Sequence, residues 1–333
     1  MRSTNGLVLG IETSCDDTAV ALVDVGGTVV ASGVASQIEI HNLYGGVYPE
    51  AASRAHVDQI LPTVRSVIDT AGIDPRELTA IGVTRGPGLI GSLMVGLNAA
   101  AGLGHGWTVP VIGVNHLRGH LRSADLEERR VKFPAVILLV SGGHTLLAWM
   151  QGPGDIKLIG NTRDDSVGEA YDKVARMLDL GYPGGPVVDR LARSGEVTIP
   201  FPRPMLNQAL DFSFSGLKTA VMYYLAQHDD WEPKDIAASF VASCMDVLIA
   251  KCRRALSQYP AESLVIVGGV AASPQLREQA QILCADLGVS LCLPPLKWST
   301  DNGAMIALAT WDYLDVNNAT GLEPAPSLTI ESF

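Results

Sequence analysis

One pattern occurs twice in this sequence and narrows the folds open to it: an apolar strand, a short polar turn and a second apolar strand. In the first copy, LVLGIET (7–13) and TAVALVD (18–24) flank the turn SCDD. In the second copy, FPAVILLVSGGHTLLAWM (133–150) places Ser-Gly-Gly-His-Thr between two apolar runs. Alternating helical and strand patterns follow each hairpin, which is typical of α/β proteins. The sequence therefore predicts two α/β lobes with a ligand cleft between them.

A pair of histidines follows the last strand pattern of the first copy. GVNHLRGH (113–120) places His116 and His120 four residues apart, with Asn115 as the predicted N-cap of their helix. At this spacing both imidazoles lie on one helix face, about 5–6 Å apart at Cβ, and can share a metal ion. A zinc protease of the HExxH type is disfavoured, because Leu117 stands where the catalytic Glu would be. Histidines at this spacing also fit an ordinary core or surface.

Asp301 is the candidate third ligand. It stands in the polar segment STDNGAMIA, directly before a helical pattern. Two histidines and one carboxylate leave coordination positions open for a substrate, as in catalytic rather than structural metal sites. The alternative is that Asp301 only caps the following helix.

Glycine-rich turns suggest a nucleotide site. SGGHT (141–145), YPGGP (182–186) and VGGV (267–270) adjoin predicted strands or helices, and glycine lets a backbone approach a phosphate or a base closely. None of them matches a dinucleotide-binding or P-loop motif. Asp172 is a candidate acceptor for ribose hydroxyls. Each turn alone also fits an ordinary turn, and Asp172 also fits a solvated carboxylate.

Composition limits the partners and the compartment. The formal net charge is −11, so a role in binding nucleic acid requires a local basic patch or a basic partner. The clearest cationic stretch, which also fits a solvated face, comprises Arg118, Arg122, Arg129, Arg130 and Lys132. The five cysteines lack CxxC spacing, which indicates reduced thiols, and no apolar run approaches the roughly 18 residues of a membrane span. We expect a cytoplasmic protein with no signal peptide and no membrane role.

Nine motifs occur in order across nearly the whole chain and together resemble the TsaD family of tRNA N6-adenosine threonylcarbamoyltransferases, formerly called sialoglycoprotein endopeptidases. They are ETSCDDT, HNLYGGVYPEAASRAH, RGPGLIGSLMVG, NHLRGH, LLVSGGHT, GEAYDKVARMLDLGYPGGP, DFSFSGLKT, VIVGGVA and STDNGAMIA. The resemblance implies a duplicated actin-like ATPase fold, shared with sugar kinases and DnaK. On that basis we expect an N-terminal lobe of residues 1–112 plus about 305–333. The C-terminal lobe, residues 113–304, should carry the metal and nucleotide sites.

The resemblance also implies roles for single residues. His116, His120 and Asp301 look like the ligands of one divalent ion, iron or zinc. The segment that resembles the family's contact with the threonylcarbamoyl-adenylate comprises Leu139, Val140, Ser141, Gly142 and Gly143. The residues that resemble its nucleotide contacts are Asp172, Gly185, Asp189 and Ser273. Ser273 stands where the family usually has Asn, and a hydroxyl cannot replace both the donor and the acceptor of an amide.

The reaction implied is transfer of a threonylcarbamoyl group from threonylcarbamoyl-AMP to N6 of adenosine 37 in tRNA, with release of AMP. Asp17, where Glu is frequent in the family, and His144 are the candidate catalytic residues. His144 would accept a proton, although a structural role fits it equally. Binding of ATP or ADP in the cleft stays open.

The resemblance implies several partners. They are tRNAs that read ANN codons, a TsaB-like paralogue, a TsaE-like ATPase and a threonylcarbamoyl-AMP synthase. The helix AASRAHVDQILPTV (51–64) resembles the segment through which the family docks its paralogue.

Three other functions fit the same fold. They are a sugar or acetate kinase, a small-molecule carbamoyltransferase, which usually carries a further adenylate-making domain, and a non-enzymatic scaffold without a metal site.

Overall fold

The structure, a computed structural model, describes residues 6–128, 131–152, 154–315 and 321–332. The chain divides into two compact units, residues 1–130 with 294–333, and residues 131–293. Our expected boundaries at residues 112 and 304 differ from these, because residues 113–130 and 294–304 group with the first unit. The segments that carry His116, His120 and Asp301 therefore belong to the first unit and not to the second.

The first unit contains a five-stranded sheet in the order β3-β2-β1-β4-β5. Its strands are β1 (Leu7–Glu12), β2 (Asp17–Asp24), β3 (Val29–Ser36), β4 (Ala80–Gly86) and β5 (Val111–Asn115). The β1–β2 and β2–β3 pairs are antiparallel, whereas β1, β4 and β5 run parallel. Strands β1 and β2 are buried almost throughout, since helices cover the sheet, and this accounts for their nearly continuous apolar sequences.

Helices of the first unit cover this sheet. They are α1 (Ile38–Asn42), α2 (Pro49–Ala71), α3 (Ile90–Trp107), α4 (His116–Ser123) and α10 (Gly303–Asp315), with short 3₁₀ helices at Pro75–Glu77 and Leu296–Trp298. Helix α2 begins with Pro49, whose fixed φ suits the first turn, and ends at Gly72 in the left-handed conformation (φ 65°). This helix contains the whole predicted helical segment 51–64.

The second unit contains a five-stranded sheet in the order β10-β9-β6-β7-β8. Its strands are β6 (Ala135–Val140), β7 (Thr145–Gly152), β8 (Asp155–Asn161), β9 (Ser263–Val267) and β10 (Ser290–Cys292). Its helices are α5 (Val167–Met177), α6 (Gly184–Ala192), α7 (Ser215–Gln227), α8 (Pro233–Gln258) and α9 (Pro274–Leu287), with a 3₁₀ helix at Gly269–Ala272. An apolar core on α5 and α8 includes Tyr171 and Phe240, whose rings meet edge to face at 5.1 Å.

The two sheets share one topology. In each, the first strand pairs antiparallel with the second and parallel with the fourth, and the third and fifth strands lie at the edges. This confirms the duplicated α/β plan that the two hairpin patterns predicted. Strand β8 escaped the sequence analysis, because DIKLIGN is an edge strand with a mixed burial pattern. No helix within the described ranges is both long and apolar enough to cross a membrane.

Candidate metal centre

Helix α4 is a short polar helix that is buried along its whole length. All eight residues of its sequence HLRGHLRS are buried, including two histidines and two arginines. It starts directly after β5, and the predicted cap is confirmed: the Asn115 side chain accepts a hydrogen bond from Leu117 N at 3.0 Å. Burying so many polar groups is unfavourable unless each finds a partner. The partners of these side chains therefore indicate what the helix does.

His116 is held by a carboxylate on the neighbouring strand. Its Nδ1 lies 2.8 Å from Glu12 Oε2 and 3.2 Å from Ser14 Oγ. Glu12 is 1% exposed, and it also accepts hydrogen bonds from Ser14 N (2.5 Å) and from Thr84 Oγ1 (2.6 Å). An ionised carboxylate accepts hydrogen bonds but donates none, so Nδ1 of His116 must carry the proton that it shares with Glu12. In the neutral imidazole the Nε2 lone pair is then free to bind a cation.

His120 has no such partner. Within the part of the chain that the structure describes, neither ring nitrogen of His120 makes a hydrogen bond, although the residue is fully buried. Its Nε2 lies 3.1 Å from Asp301 Oδ1, and His116 Nε2 lies 3.7 Å from the same oxygen. Buried imidazole nitrogens are almost always satisfied, so this arrangement points to a ligand that completes it.

The next residue along the chain caps the following helix. Asn302 Oδ1 accepts from Met305 N at 2.8 Å, in the first turn of α10. The capping that we considered for Asp301 is thus provided by Asn302, and the Asp301 carboxylate lies beside the two imidazoles instead.

These three side chains fit a divalent transition metal. Among the described residues, His116, His120 and Asp301 form the one group of three or more such side chains whose ligand atoms all lie within 4.8 Å of one another. Ligands at about 2.0–2.2 Å from a tetrahedral ion are roughly 3.3–3.6 Å apart. This separation lies between the 3.1 Å and 3.7 Å that separate Asp301 Oδ1 from the Nε2 atoms of His120 and His116. Two imidazoles and one carboxylate suit zinc or iron, and they leave positions open for a substrate.

Electrostatics at the centre favour a cation. Burial alone would lower the pKa of His116, but the charges of Glu12 and Asp301 raise it to about 9 in the metal-free protein. Burial alone would raise the pKa of Glu12, but attraction to His116 and its hydrogen bond lower that pKa. A metal ion that binds here must therefore displace a proton, so its affinity rises with pH as the imidazole deprotonates.

Asp17, a candidate catalytic residue, opens β2 opposite Ser36 and is half-buried. Burial raises its pKa from 3.8 to about 6, a change reinforced by the charges of Asp16 and Asp301 and opposed by a hydrogen bond to Ser36. It is not part of the three-residue group.

This pKa predicts the pH dependence of an Asp17→Asn variant. A carboxyl whose pKa is raised on folding binds more protons when folded, so its contribution to stability falls as the pH rises from about 4 to 6. At pH 7 in chelator we expect the variant to be more stable by on the order of 1 kcal/mol, and this gain to vanish below pH 4. Urea unfolding across this range is the measurement; a gain that persists at pH 3.5 would contradict the assignment.

The predicted nucleotide contacts fall in the second unit, at the carboxyl ends of two parallel strands. Leu139 and Val140 are fully buried in β6, and the turn Ser141–Gly143 follows with both glycines exposed. Beside it, β9 ends at Val267 and is followed by Gly268 (φ 94°), where a Cβ atom would collide with Val140 O. Glycine is thus required there for a close approach of the two strand ends. Ligands of open α/β sheets bind outside this edge.

The remaining predicted contacts are distributed around α5. Asp172 Oδ1 accepts from Gly184 N at 2.8 Å and so holds the first turn of α6, which contains Gly185. Asp189 accepts from the Tyr171 hydroxyl at 3.3 Å, and its backbone oxygen accepts from Gln275 Nε2 at 3.3 Å. Burial raises the pKa of Asp189, an effect opposed by a hydrogen bond from Ser273. Ser273 and Asp189 are therefore neighbours, as a shared ligand would require.

The candidate catalytic residue His144 lies beside the glycine turn of the second unit. His144 is half-buried beside the turn, and its backbone N donates to Ser141 Oγ at 3.1 Å.

The interpretation of residues 118–132 as a cationic face is wrong for its first two members, since Arg118 and Arg122 are only 5% and 9% exposed. Arg122 instead pairs with Asp125 (2.5 Å) and Asp312 (3.1 Å). Lys132 is exposed, and Arg129 and Arg130 lie outside the described residues.

Comparison with known proteins decides the family. A family model for TsaD, described as tRNA N6-adenosine threonylcarbamoyltransferase, matches residues 28–308. A curated relative of that name from Symbiobacterium thermophilum is 46% identical over 331 residues, covering 96% of this chain and 97% of the relative. The chain belongs to the TsaD family. Another relative of the same name, from Geobacillus thermodenitrificans, is 49% identical over 308 residues, covering 91% of this chain and 90% of the relative.

Membership of the TsaD family makes the chain a transferase, and it confirms the resemblance carried by the nine motifs. The alternatives of a kinase, a small-molecule carbamoyltransferase and a non-enzymatic scaffold are correspondingly disfavoured.

Solved structures confirm the actin-like ATPase fold expected for a TsaD protein. HypF of T. kodakarensis superposes with a TM-score of 0.64 at 13% identity, covering 94% of this chain and 48% of HypF. Component A of (R)-2-hydroxyglutaryl-CoA dehydratase from Acidaminococcus fermentans superposes with a TM-score of 0.57 at 16% identity, covering 94% of this chain and all of that one. At these identities the likeness concerns the fold alone.

Three residues at this site were not among those predicted from the sequence. Glu12 and Ser14 contact Nδ1 of His116, and Thr84 donates to Glu12. One signal was available: Glu12 is a carboxylate at the end of an otherwise apolar, buried strand. Such a residue is costly to bury unless it has a cationic or donor partner. The identity of that partner could not be derived, because it lies 104 residues away.

Proposed function

We propose that this chain transfers a threonylcarbamoyl group from threonylcarbamoyl-AMP to N6 of adenosine 37 in tRNA, with one divalent ion, iron or zinc, held by His116, His120 and Asp301. The observation that carries the proposal is the convergence of these three side chains, with the fully buried His120 imidazole lacking any hydrogen bond among the described residues. The proposed reaction is the one for which the family is named. The three side chains would hold the metal ion that assists it.

The chemistry is a carbamoyl transfer to an amine. The N6 lone pair attacks the carbamoyl carbon, a C–N bond forms, the bond to the phosphate oxygen breaks, AMP leaves and N6 loses a proton. A bound divalent ion supplies Lewis-acid stabilisation of the charge that develops on the carbamoyl oxygen. Glu12 orients His116 through Nδ1 and keeps its Nε2 directed at the centre. Because an exocyclic adenine amine is a weak nucleophile, we assign much of the acceleration to positioning.

The donor nucleotide is assigned to the second unit. Backbone N–H groups of the exposed turn Ser141–Gly143, which follows Leu139 and Val140, would receive the adenylate. The groups assigned to the ribose and base are Asp172, Gly185, Asp189 and Ser273. We assign ATP or ADP, when present, to the same residues. Proton transfer is assigned to His144 and Asp17, the latter because its raised pKa brings it near the range of a useful base.

The partners of the chain are inferred from its negative net charge and from an exposed apolar groove. A chain of net charge −11 is poorly suited to hold tRNA unaided, so tRNAs reading ANN codons would bind with the help of partner proteins. Val57 and Leu61 on α2 and Met94 on α3 are 60%, 56% and 49% exposed and line one groove. We assign this groove to a TsaB-like paralogue. A TsaE-like ATPase and a threonylcarbamoyl-AMP synthase complete the set, in the cytoplasm.

Reconstitution tests the function. The chain is incubated with tRNA, threonine, bicarbonate, ATP and the partner proteins, and the nucleosides are then digested and weighed. We expect one adenosine per tRNA to gain the mass of a threonylcarbamoyl group, and we expect chelated protein to lose this activity until Zn²⁺ or Fe²⁺ is restored. No mass gain with competent partners would defeat the proposed reaction. Full activity of metal-free protein would defeat only the role of the metal.

A further inference from the structure

A segment without helix or strand, residues 321–332, packs along the first unit and is here called the strap. It is attached through its backbone: Ala325 N donates to Arg85 O at 2.7 Å, and Pro326 O accepts from Gly88 N at 3.2 Å. Ile330 is its apolar anchor and is only 1% exposed. The strap is therefore an ordered part of this unit, although it belongs to no sheet or helix.

The end of the strap is bound by the residues that start helix α4. Asn115 Nδ2 donates to Thr329 O (2.7 Å) and Ser332 O (2.9 Å), while its Oδ1 caps α4 at Leu117 N. Arg118 Nε donates to Ile330 O and its Nη2 to Glu331 O, each at 3.1 Å. One amide thus links the helix cap to the strap. Four side-chain hydrogen bonds from three donor nitrogens fix α4 against four successive carbonyl groups.

The strap contacts the side of α4 opposite its histidines. Arg118 is two residues from both His116 and His120, which places it about 200° around the helix from each. Gly119 lies on a third side, where a Cβ would meet Ile306 of α10 at 2.8 Å. An eight-residue helix is not stable by itself, so its rotation about its axis is set by its contacts with the rest of the unit. The strap and α10 provide contacts on the sides away from the histidines. A rotation of α4 would move both imidazole nitrogens relative to Asp301.

We propose that the strap positions the metal-binding helix: the bonds from Asn115 and Arg118 to residues 329–332 hold α4 in the rotation that presents His116 and His120 together. This inference rests on the metal centre of the proposed function. It makes Arg118 and Asn115 positioning residues that act through α4.

The test is titration of the chelated full chain with Co²⁺, whose visible absorption reports the number and geometry of its ligands. Arg118→Met removes the two strap bonds but keeps the length of the side chain. We expect it to weaken Co²⁺ binding about 10–100-fold, the usual effect of losing a group that orients metal ligands, and to change the absorption bands. Arg118→Lys, which can still donate to a carbonyl, should recover part of the affinity.

Arg85→Met is the matched control. Arg85 Nη1 donates to Gly321 O at 3.2 Å, so this variant loses an arginine–carbonyl bond to the same strap at its other end. We expect its Co²⁺ affinity to equal that of the wild type. Asn115→Ser is a second variant for the case that Arg118→Met folds poorly. Serine keeps a good helix cap but loses both hydrogen bonds to the strap. We expect this variant to bind Co²⁺ more weakly and to unfold at nearly the wild-type temperature.

Three results would overturn the inference. If folded Arg118→Met or Asn115→Ser binds Co²⁺ with the affinity and spectrum of the wild type, the positioning role of the strap is wrong and the metal centre is unaffected. An equal loss in Arg85→Met would show a general destabilisation instead of positioning. Failure of the wild type to bind Co²⁺ would defeat the metal centre, and the strap with it.

Discussion

The His120→Leu variant is expected to bind no divalent metal at the centre and to lose about 10²–10³-fold in transferase activity, the equivalent of several kcal/mol of transition-state stabilisation by a metal ion. In chelator, however, it should unfold at no lower temperature than the wild type. Leucine has nearly the volume of histidine and removes two buried nitrogens that make no hydrogen bond among the described residues. Each unsatisfied buried polar group costs about 1–3 kcal/mol.

Activity, metal content and unfolding in chelator check this expectation together. His105→Leu is the control, because His105 is an exposed histidine in the last turn of α3 and should leave both metal content and activity unchanged. A structural role for His120 makes the opposite prediction, namely a fall in unfolding temperature with metal content retained. That outcome would show that His120 is not a metal ligand and that the proposed reaction does not use this metal centre.

The Gly10→Ala variant is expected to have the largest effect on folding, a loss of about 3–5 kcal/mol in the free energy of unfolding. Gly10 lies in the middle of β1, directly beneath the first turns of α10. An added Cβ would lie 2.8 Å from Ala307 Cβ and closer still to Ala307 N and Gly303 O, which are backbone atoms that cannot rotate away. Displacing α10 would also displace Asp301, so metal affinity should fall with stability.

The matched control is Gly102→Ala. Gly102 is exposed in α3, and an added Cβ there would meet nothing within 4 Å. Alanine is the better helix former, so this variant should be neutral or more stable by up to about 1 kcal/mol. Chemical denaturation of both variants measures the difference. A Gly10→Ala protein as stable as the wild type would mean that α10 does not lie against β1 as described.

Much of the site could be predicted from the sequence because its signals are local. The pair His116 and His120 lies within one helical turn, and Asn115 is a residue type that caps helices. Asp301 was a weaker prediction, since Asp301 and Asn302 are both good caps and the sequence does not show which one is used. In the structure Asn302 accepts the bond from Met305 N, and the Asp301 carboxylate lies 3.1 Å from His120 Nε2.

The arginines of α4 show where local patterns mislead. In the sequence, Arg118 and Arg122 resemble a solvated face, because a charged residue usually indicates exposure. In the structure both are buried. Arg122 pairs with Asp125 nearby and with the remote Asp312. Arg118 donates to the backbone of residues 330 and 331. Backbone carbonyls carry no sequence signature, so no pattern within the strap could have predicted this.

The sequence by itself determined the duplicated α/β plan and the candidate ligands, because strand periodicity, helix caps and four-residue spacing are properties of neighbouring residues. Only the tertiary structure decided which unit carries the three candidate metal ligands, that Glu12 contacts Nδ1 of His116, and that His120 is left without a hydrogen bond in the described chain. These features depend on contacts between residues about 100 to 300 positions apart, whose geometry is set by how β1, α4 and α10 pack.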